Sequence, residues 1–281
     1  MSVSLSYSQL RRYRTCPRQF EFSHVKKIPW GVSEGESFGG SVHNALKQWG
    51  EEEMKLFGGG LETKDKGLRT KGKGQGQGVR EDQLILFREE KASVHADVTE
   101  QKLLEIWHEC FVFDTYKTRL EADFARKRGE EIMRQFHGWW SQVPRKVVAV
   151  EKGFAVEIDG MHVTGRLDRI EQTEQGVSIV DFKTTAPCTQ AEADADLQLS
   201  LYALAAGHLF DKPCSELVLL FLSEEGVTER TTARSPSQLK DARTQIKLIR
   251  ERMEAKDFRP TPSALVCKRC PYRGICDVAA V

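Results

Sequence analysis

The stretch from Lys146 to Thr185 constrains this chain more than any other. In "KVVAVEKGFAVEI", "MHVTGRLDRI" and "VSIVDFKTT" apolar and polar residues alternate, β-branched positions are frequent, and the turn formers "DG" and "TEQGV" separate the runs. A period of two scatters apolar residues around a helix but collects them on one face of a strand. Three strands in an antiparallel meander are therefore predicted. Both flanks show the helical period instead. Residues 6–24 read as a short helical region broken at Cys16-Pro17, because proline disfavours helix in the residue before it. "GGSVHNALKQWGEEEMKLF" carries Val42, Ala45, Leu46 and Trp49 on one stripe, with His43 in its first turn, and further helices are expected at 99–112 and 118–142. After the meander come a helix near 191–210, a strand "SELVLLFLS", a helix near 237–255 and a cysteine-bearing tail.

This order predicts an α/β fold with a mixed central sheet flanked by helices. The expected division is a helical region over 1–145, a core over 146–258 and a tail over 259–281 that packs against the N-terminus in one compact unit. The glycine- and lysine-rich stretch 58–80 has almost nothing to bury and reads as a loop. With 42 basic and 41 acidic residues, bulk charge selects no polyanionic partner, so any such partner requires a local basic surface or metal ions. A basic-then-apolar leader and a run of about 18 apolar residues are both missing, which predicts a soluble cytoplasmic protein with no membrane partner. Seven cysteines, an odd number in a chain of this size, argue against a disulfide framework.

The charges inside the predicted strands raise the chemical question. Asp181 and Lys183 alternate with Val180 and Phe182 and so share a sheet face. If the turn centres on Glu174-Gln175, Asp168 faces Asp181. If it centres on Gln175-Gly176, Asp168 faces Lys183, and either register gathers all three. Two carboxylates about 5 Å apart on a buried sheet repel and lose hydration, a burden that a divalent cation relieves. Oxygen ligands suit magnesium or manganese, and Lys183 beside them can stabilise a phosphate's developing charge. A cross-strand salt bridge between Lys183 and the aspartates is the alternative. Arg166 and Arg169 flank Asp168, where they either reach phosphates or lie solvated on the strand.

"GRLDRI" followed by "VDFKTT" resembles the motif of the PD-(D/E)XK nuclease superfamily, in its RecB-like branch. That resemblance implies a restriction-endonuclease-like core and a metal-dependent deoxyribonuclease. Asp168, Asp181 and Lys183 would be catalytic, and His43, Asp168, Asp181 and the Phe182 carbonyl would hold one or two Mg2+ or Mn2+ ions. Gln198 and Tyr202, four apart in "LQLSLYALAA", and Arg166 would contact DNA, and Glu151 matches an additional acidic residue seen in relatives. The expected activity is exonucleolytic, on single-stranded DNA or free ends, in repair, recombination, phage DNA processing or CRISPR spacer acquisition. Helicase, recombination or CRISPR adaptation proteins are the expected partners. A non-catalytic nucleic-acid-binding scaffold is the alternative.

The tail "CKRCPYRGIC" sets Cys267, Cys270 and Cys276 at metal-ligand spacing, and Cys16, also followed by proline, is the natural fourth ligand. Four thiolates admit zinc or an iron-sulfur cluster. One early and three late cysteines resemble the layout of AddB-type nuclease domains, CRISPR-associated adaptation nucleases and exonuclease five, which implies a 4Fe-4S cluster. Cys110, Cys188 and Cys214 show no such spacing and read as ordinary thiols.

Overall fold

The structure, a computed structural model, describes residues 4–57, 99–143 and 145–280, so the expected loop at 58–80 lies outside the described residues. A two-residue strand, β1 (Leu5–Ser6), leads into α1 (Tyr7–Thr15). Ser6 caps α1 and Gln9 returns a bond to the Ser6 backbone, a reciprocal pairing that fixes where the helix begins. Cys16 is extended, as the residue before a proline should be, and α2 (Pro17–Phe20) then runs into a π-helical turn (Glu21–Val25). The early helical region is thus broken where the sequence places the break.

The next helix starts earlier than the sequence pattern indicates. α3 spans Glu34–Phe57, which moves His43 from the first turn to the third. Ser33 and Glu36 form the cap: the Glu36 N–H donates to Ser33 Oγ at 3.2 Å, and Glu36 Oε2 accepts from the Ser33 N–H at 3.0 Å. Gly39-Gly40 looks like a helix boundary in sequence but lies inside the helix, because a Cβ on Gly39 would come within 3.3 Å of Thr184 Oγ1. This close approach of α3 to the end of a strand favours a small residue there.

α4 (Glu100–Cys110) and α5 (Arg119–Trp140) complete the helical half. β2 (Lys146–Ile158), β3 (Met161–Gln172) and β4 (Val177–Lys183) form the antiparallel meander. The β3–β4 turn is closed by Gly176, where any Cβ would fall 2.1 Å from the Pro213 carbonyl oxygen. α6 (Gln190–Asp194) and α7 (Leu197–Leu209) then cross over to β5 (Cys214–Ser223), which is parallel to β4, and β6 (Gly226–Thr232) turns back along β5. A parallel neighbour needs such a crossover. α8 (Pro236–Glu254), α9 (Ala264–Lys268) and a 3₁₀ turn (Arg273–Ile275) finish the chain.

The sheet is mixed, in the order β1-β3-β4-β5-β6 with β2 on the remaining edge of β3, and helices cover both faces. Alternation along β4 divides the core. Val177 and Ile179 pack with α7 on one face, while Val180 and Phe182 pack with α3, α4 and α5 on the other. α7 is apolar nearly all round and is correspondingly buried, which lets its few polar side chains reach the sheet only where a strand ends.

One charge group inside the second core corrects the sequence reading. Arg169 is 2% exposed and does not reach solvent or phosphate; it is clamped by Glu53 of α3 and by Glu171 at 2.6 Å. Trp140 Nε1 donates to the same Glu53 at 2.5 Å. A buried guanidinium needs compensating charge, and Glu53 lies 116 positions away, beyond any local pattern.

Candidate active site

The observed register decides between the two pairings considered for the hairpin. Arg169 pairs with Val180 and Ile170 with Ile179, which corresponds to a turn centred on Glu174-Gln175. One step further along, Asp168 stands across from Asp181. On its other side Asp168 faces Glu151, since β2 pairs Val150 with Arg169 and Lys152 with Leu167. Asp168 Oδ2 accepts the Phe182 N–H at 3.0 Å, so the tip of β4 holds this carboxylate in place.

His43 arrives from α3 on the opposite face, its ring meeting Phe182 edge-on at 6.1 Å. Its Nδ1 lies 3.4 Å from Asp168 and 3.9 Å from Glu151. Donor atoms of His43, Glu151 and Asp168 all fall within 4.8 Å of one another. Glu151 reaches this position with a left-handed backbone, φ +46°, in the middle of a strand. A non-glycine residue there is strained, and strain of this kind persists where surrounding structure imposes it. Glu151, which the sequence offered only as an additional acidic residue, thus stands in the tightest donor group. Its signal is conformational and invisible in the string of letters.

Asp181 sits beside this group, 2% exposed, and is held from α7. Its Oδ1 accepts from Gln198 Nε2 at 2.9 Å and from the Tyr202 hydroxyl at 3.3 Å, and Gln198 also donates to that hydroxyl at 2.7 Å. Lys183 Nζ lies 2.5 Å from Asp181 Oδ2 and donates to Gln198 Oε1 at 2.9 Å. Oδ2 is buried and faces the Lys183 ammonium. Tyr202 is 5% exposed and faces inward, whereas Gln198 holds Asp181 and also lines the cleft that opens beside Lys183. Arg166 is solvent-facing and pairs with Glu151 at 3.2 Å.

These residues fit a hard divalent cation. Octahedral Mg2+ or Mn2+ draws its ligands to about 2.1 Å, hence about 3–4 Å from each other, close to the spacing present. Burial lowers the His43 pKa, which favours the neutral imidazole a metal requires. Asp168 is pushed up to about 8, first by burial and then by the Asp181 charge, against which the Phe182 N–H works. A folded-state value above the ordinary one means that the stabilising contribution is present at low pH and lost as pH rises toward 8. Metal-free protein is therefore expected to lose thermal stability between about pH 5 and about pH 8, and Asp168→Asn to flatten that dependence. Melting temperatures of both proteins across that range check this, and parallel slopes would refute it.

The four cysteines singled out in the sequence also converge. Cys16, Cys267, Cys270 and Cys276 line one small cavity at the junction of α2 with the tail, all as free thiols. Burial raises the Cys270 pKa, with the charges of the other three adding to it. Cys110, Cys188 and Cys214 lie elsewhere, Cys110 in the second core.

A mixed sheet between helices, with acidic groups and a lysine at the tip of adjacent strands, is the construction of a metal-dependent nuclease. The chain belongs to the PD-(D/E)XK nuclease superfamily, whose family model matches residues 4–277. Membership implies Mg2+ or Mn2+ chemistry on DNA. The Gene 69 protein of Mycobacterium phage L5 is similar, at 24% identity over 306 aligned residues that cover 97% of this chain and 96% of that protein. A solved structure, described as the crystal structure of SSO0001, matches with a TM-score of 0.37 and 16% identity over 65% of this chain and 79% of that one. Among the described residues, no helix is long and apolar enough to cross a membrane.

Proposed function

We propose that this chain is a Mg2+- or Mn2+-dependent deoxyribonuclease that digests single-stranded DNA from an end. The observation that carries the reading is the convergence of His43, Glu151 and Asp168 within 4.8 Å beside Asp181 and Lys183. His43, Asp168 and Asp181, with the Phe182 carbonyl and with Glu151 added to the set, would hold the metal, which lowers the pKa of bound water and polarises the phosphodiester. Lys183 steadies the developing charge, and Gln198 and Tyr202 keep Asp181 and Lys183 in register. Arg166, an exposed cation beside these ligands, can swing toward a phosphate.

The same reading assigns the chain to the RecB-like branch, with Cys16, Cys267, Cys270 and Cys276 holding a 4Fe-4S cluster. A zinc ion at about 2.3 Å from each thiolate would hold the sulfurs about 3.8 Å apart. The convergence of the four thiols on one cavity supports a metal centre there, with zinc as the alternative occupant. Of the candidate processes, phage DNA processing accords with a phage-encoded relative.

Digestion of oligonucleotides labelled separately at each end, with Mg2+, Mn2+ or neither, tests the reading. Stepwise shortening from one label with either metal is expected. Intact substrate under every condition would favour a non-catalytic scaffold, and internal cuts without shortening would replace the exonuclease by an endonuclease.

A further inference from the structure

A cleft of about 630 Å3 begins at Lys183 and Gln198 and runs along α1 to Arg269 in the tail. Its walls are basic. Arg11 and Arg269 are exposed, Arg12 is half-buried, and none of the three pairs with a carboxylate among the described residues. The acidic side chain on the wall, Glu36, is engaged at the N-terminus of its own helix. Uncompensated arginines converging on a cleft mark a site for a polyanion.

Trp30 supplies the second feature. It is 38% exposed, whereas Trp49 and Trp107 are wholly buried in the core, and the Arg12 guanidinium lies 4.3 Å over its ring. The ring is held firmly: its edge packs on Tyr272 at 6.0 Å, and the Tyr272 hydroxyl donates to the Ile28 carbonyl at 2.9 Å. An indole and guanidinium stacked at a basic cleft form a surface on which an unpaired base can lie, and every base has such a face.

We propose that this cleft is the path of a single DNA strand entering the metal site, with Trp30 and Arg12 as a base-stacking platform and Arg11 and Arg269 as phosphate contacts. The inference rests on the nuclease reading of that site. The cysteine tail contributes one wall through Arg269 and braces Trp30 through Tyr272, so the thiol site shapes the strand path.

Fluorescence anisotropy of a labelled oligonucleotide on the full-length protein, without added divalent metal, tests this independently of cleavage. Trp30→Ala is expected to weaken binding by about tenfold, and Trp30→Phe to restore most of it. Arg11→Glu with Arg269→Glu is expected to weaken binding by at least as much and to flatten its salt dependence by roughly 0.7 for each phosphate no longer neutralised. Arg119→Glu, in a separate basic cleft between α4 and α5, should bind as wild type. Wild-type affinity in the Trp30→Ala and double-arginine variants, or weakening in Arg119→Glu alone, would overturn the proposal. Wild-type protein that binds through this cleft yet never cuts would sink the nuclease reading and leave the strand path standing.

Discussion

Lys183→Ala is expected to lower metal-dependent cleavage of a single-stranded oligonucleotide by about 10²- to 10³-fold, the usual effect of removing one preorganised charge from a reacting centre. The fold should survive. Lys183 is partly exposed, and Asp181 keeps its bonds to Gln198 and Tyr202 when the ammonium is gone. Asp181→Ala should abolish cleavage as well, while leaving the buried Tyr202 hydroxyl without its acceptor and Gln198 donating to Tyr202 alone. Lys183→Arg keeps the charge but not its position, and should recover little, because a planar guanidinium cannot replace a compact ammonium beside a buried carboxylate. Initial rates with Mn2+, read beside melting temperatures, check all three. Cleavage retained by folded Lys183→Ala would reduce this lysine to a salt-bridge partner, the alternative that its strand position alone leaves open.

If the proposed cluster is present, Cys270→Ser is expected to abolish its binding and to lower the melting temperature by on the order of 10 °C, because metal binding in such a site is part of the folding free energy. The reason lies in the connectivity. Cys16 stands between α1 and α2, while Cys267, Cys270 and Cys276 lie in the last described turns, so the proposed cluster would tie together segments far apart in the sequence. Iron, sulfide and zinc content with visible absorption, measured on Cys270→Ser, Cys16→Ser and a Cys188→Ser control, check this. Unchanged metal and melting temperature in Cys270→Ser would remove the cluster from the account.

Much of the site is legible before any fold is known. "RLD" and "DFK" place charges two apart within strands, and a buried strand carries such charges only with compensating partners or a cation. The cysteine spacing is equally legible. Other elements are not. β6 has no apolar face, since its residues are half-exposed against β5, and β1 is two residues long. The start of α3 is masked because Gly39-Gly40 is a stronger boundary signal than the Ser33–Glu36 cap. Arg169 reads as solvated because Glu53, its counter-charge, is supplied by a different element far away in the chain.

Local rules thus determined most of the elements, the meander, the candidate charges and the two sets of potential ligands, because alternation, turn chemistry and short spacings act between near neighbours in the chain. Tertiary structure alone decided which register the hairpin took, that Glu151 bends into the donor group with a strained backbone, that Gln198 and Tyr202 hold Asp181, and that Trp30 joins Arg269 along one cleft. Each of those outcomes depends on interactions between residues far apart in sequence, and their energies exist only once the sheet and both helical layers have closed around them.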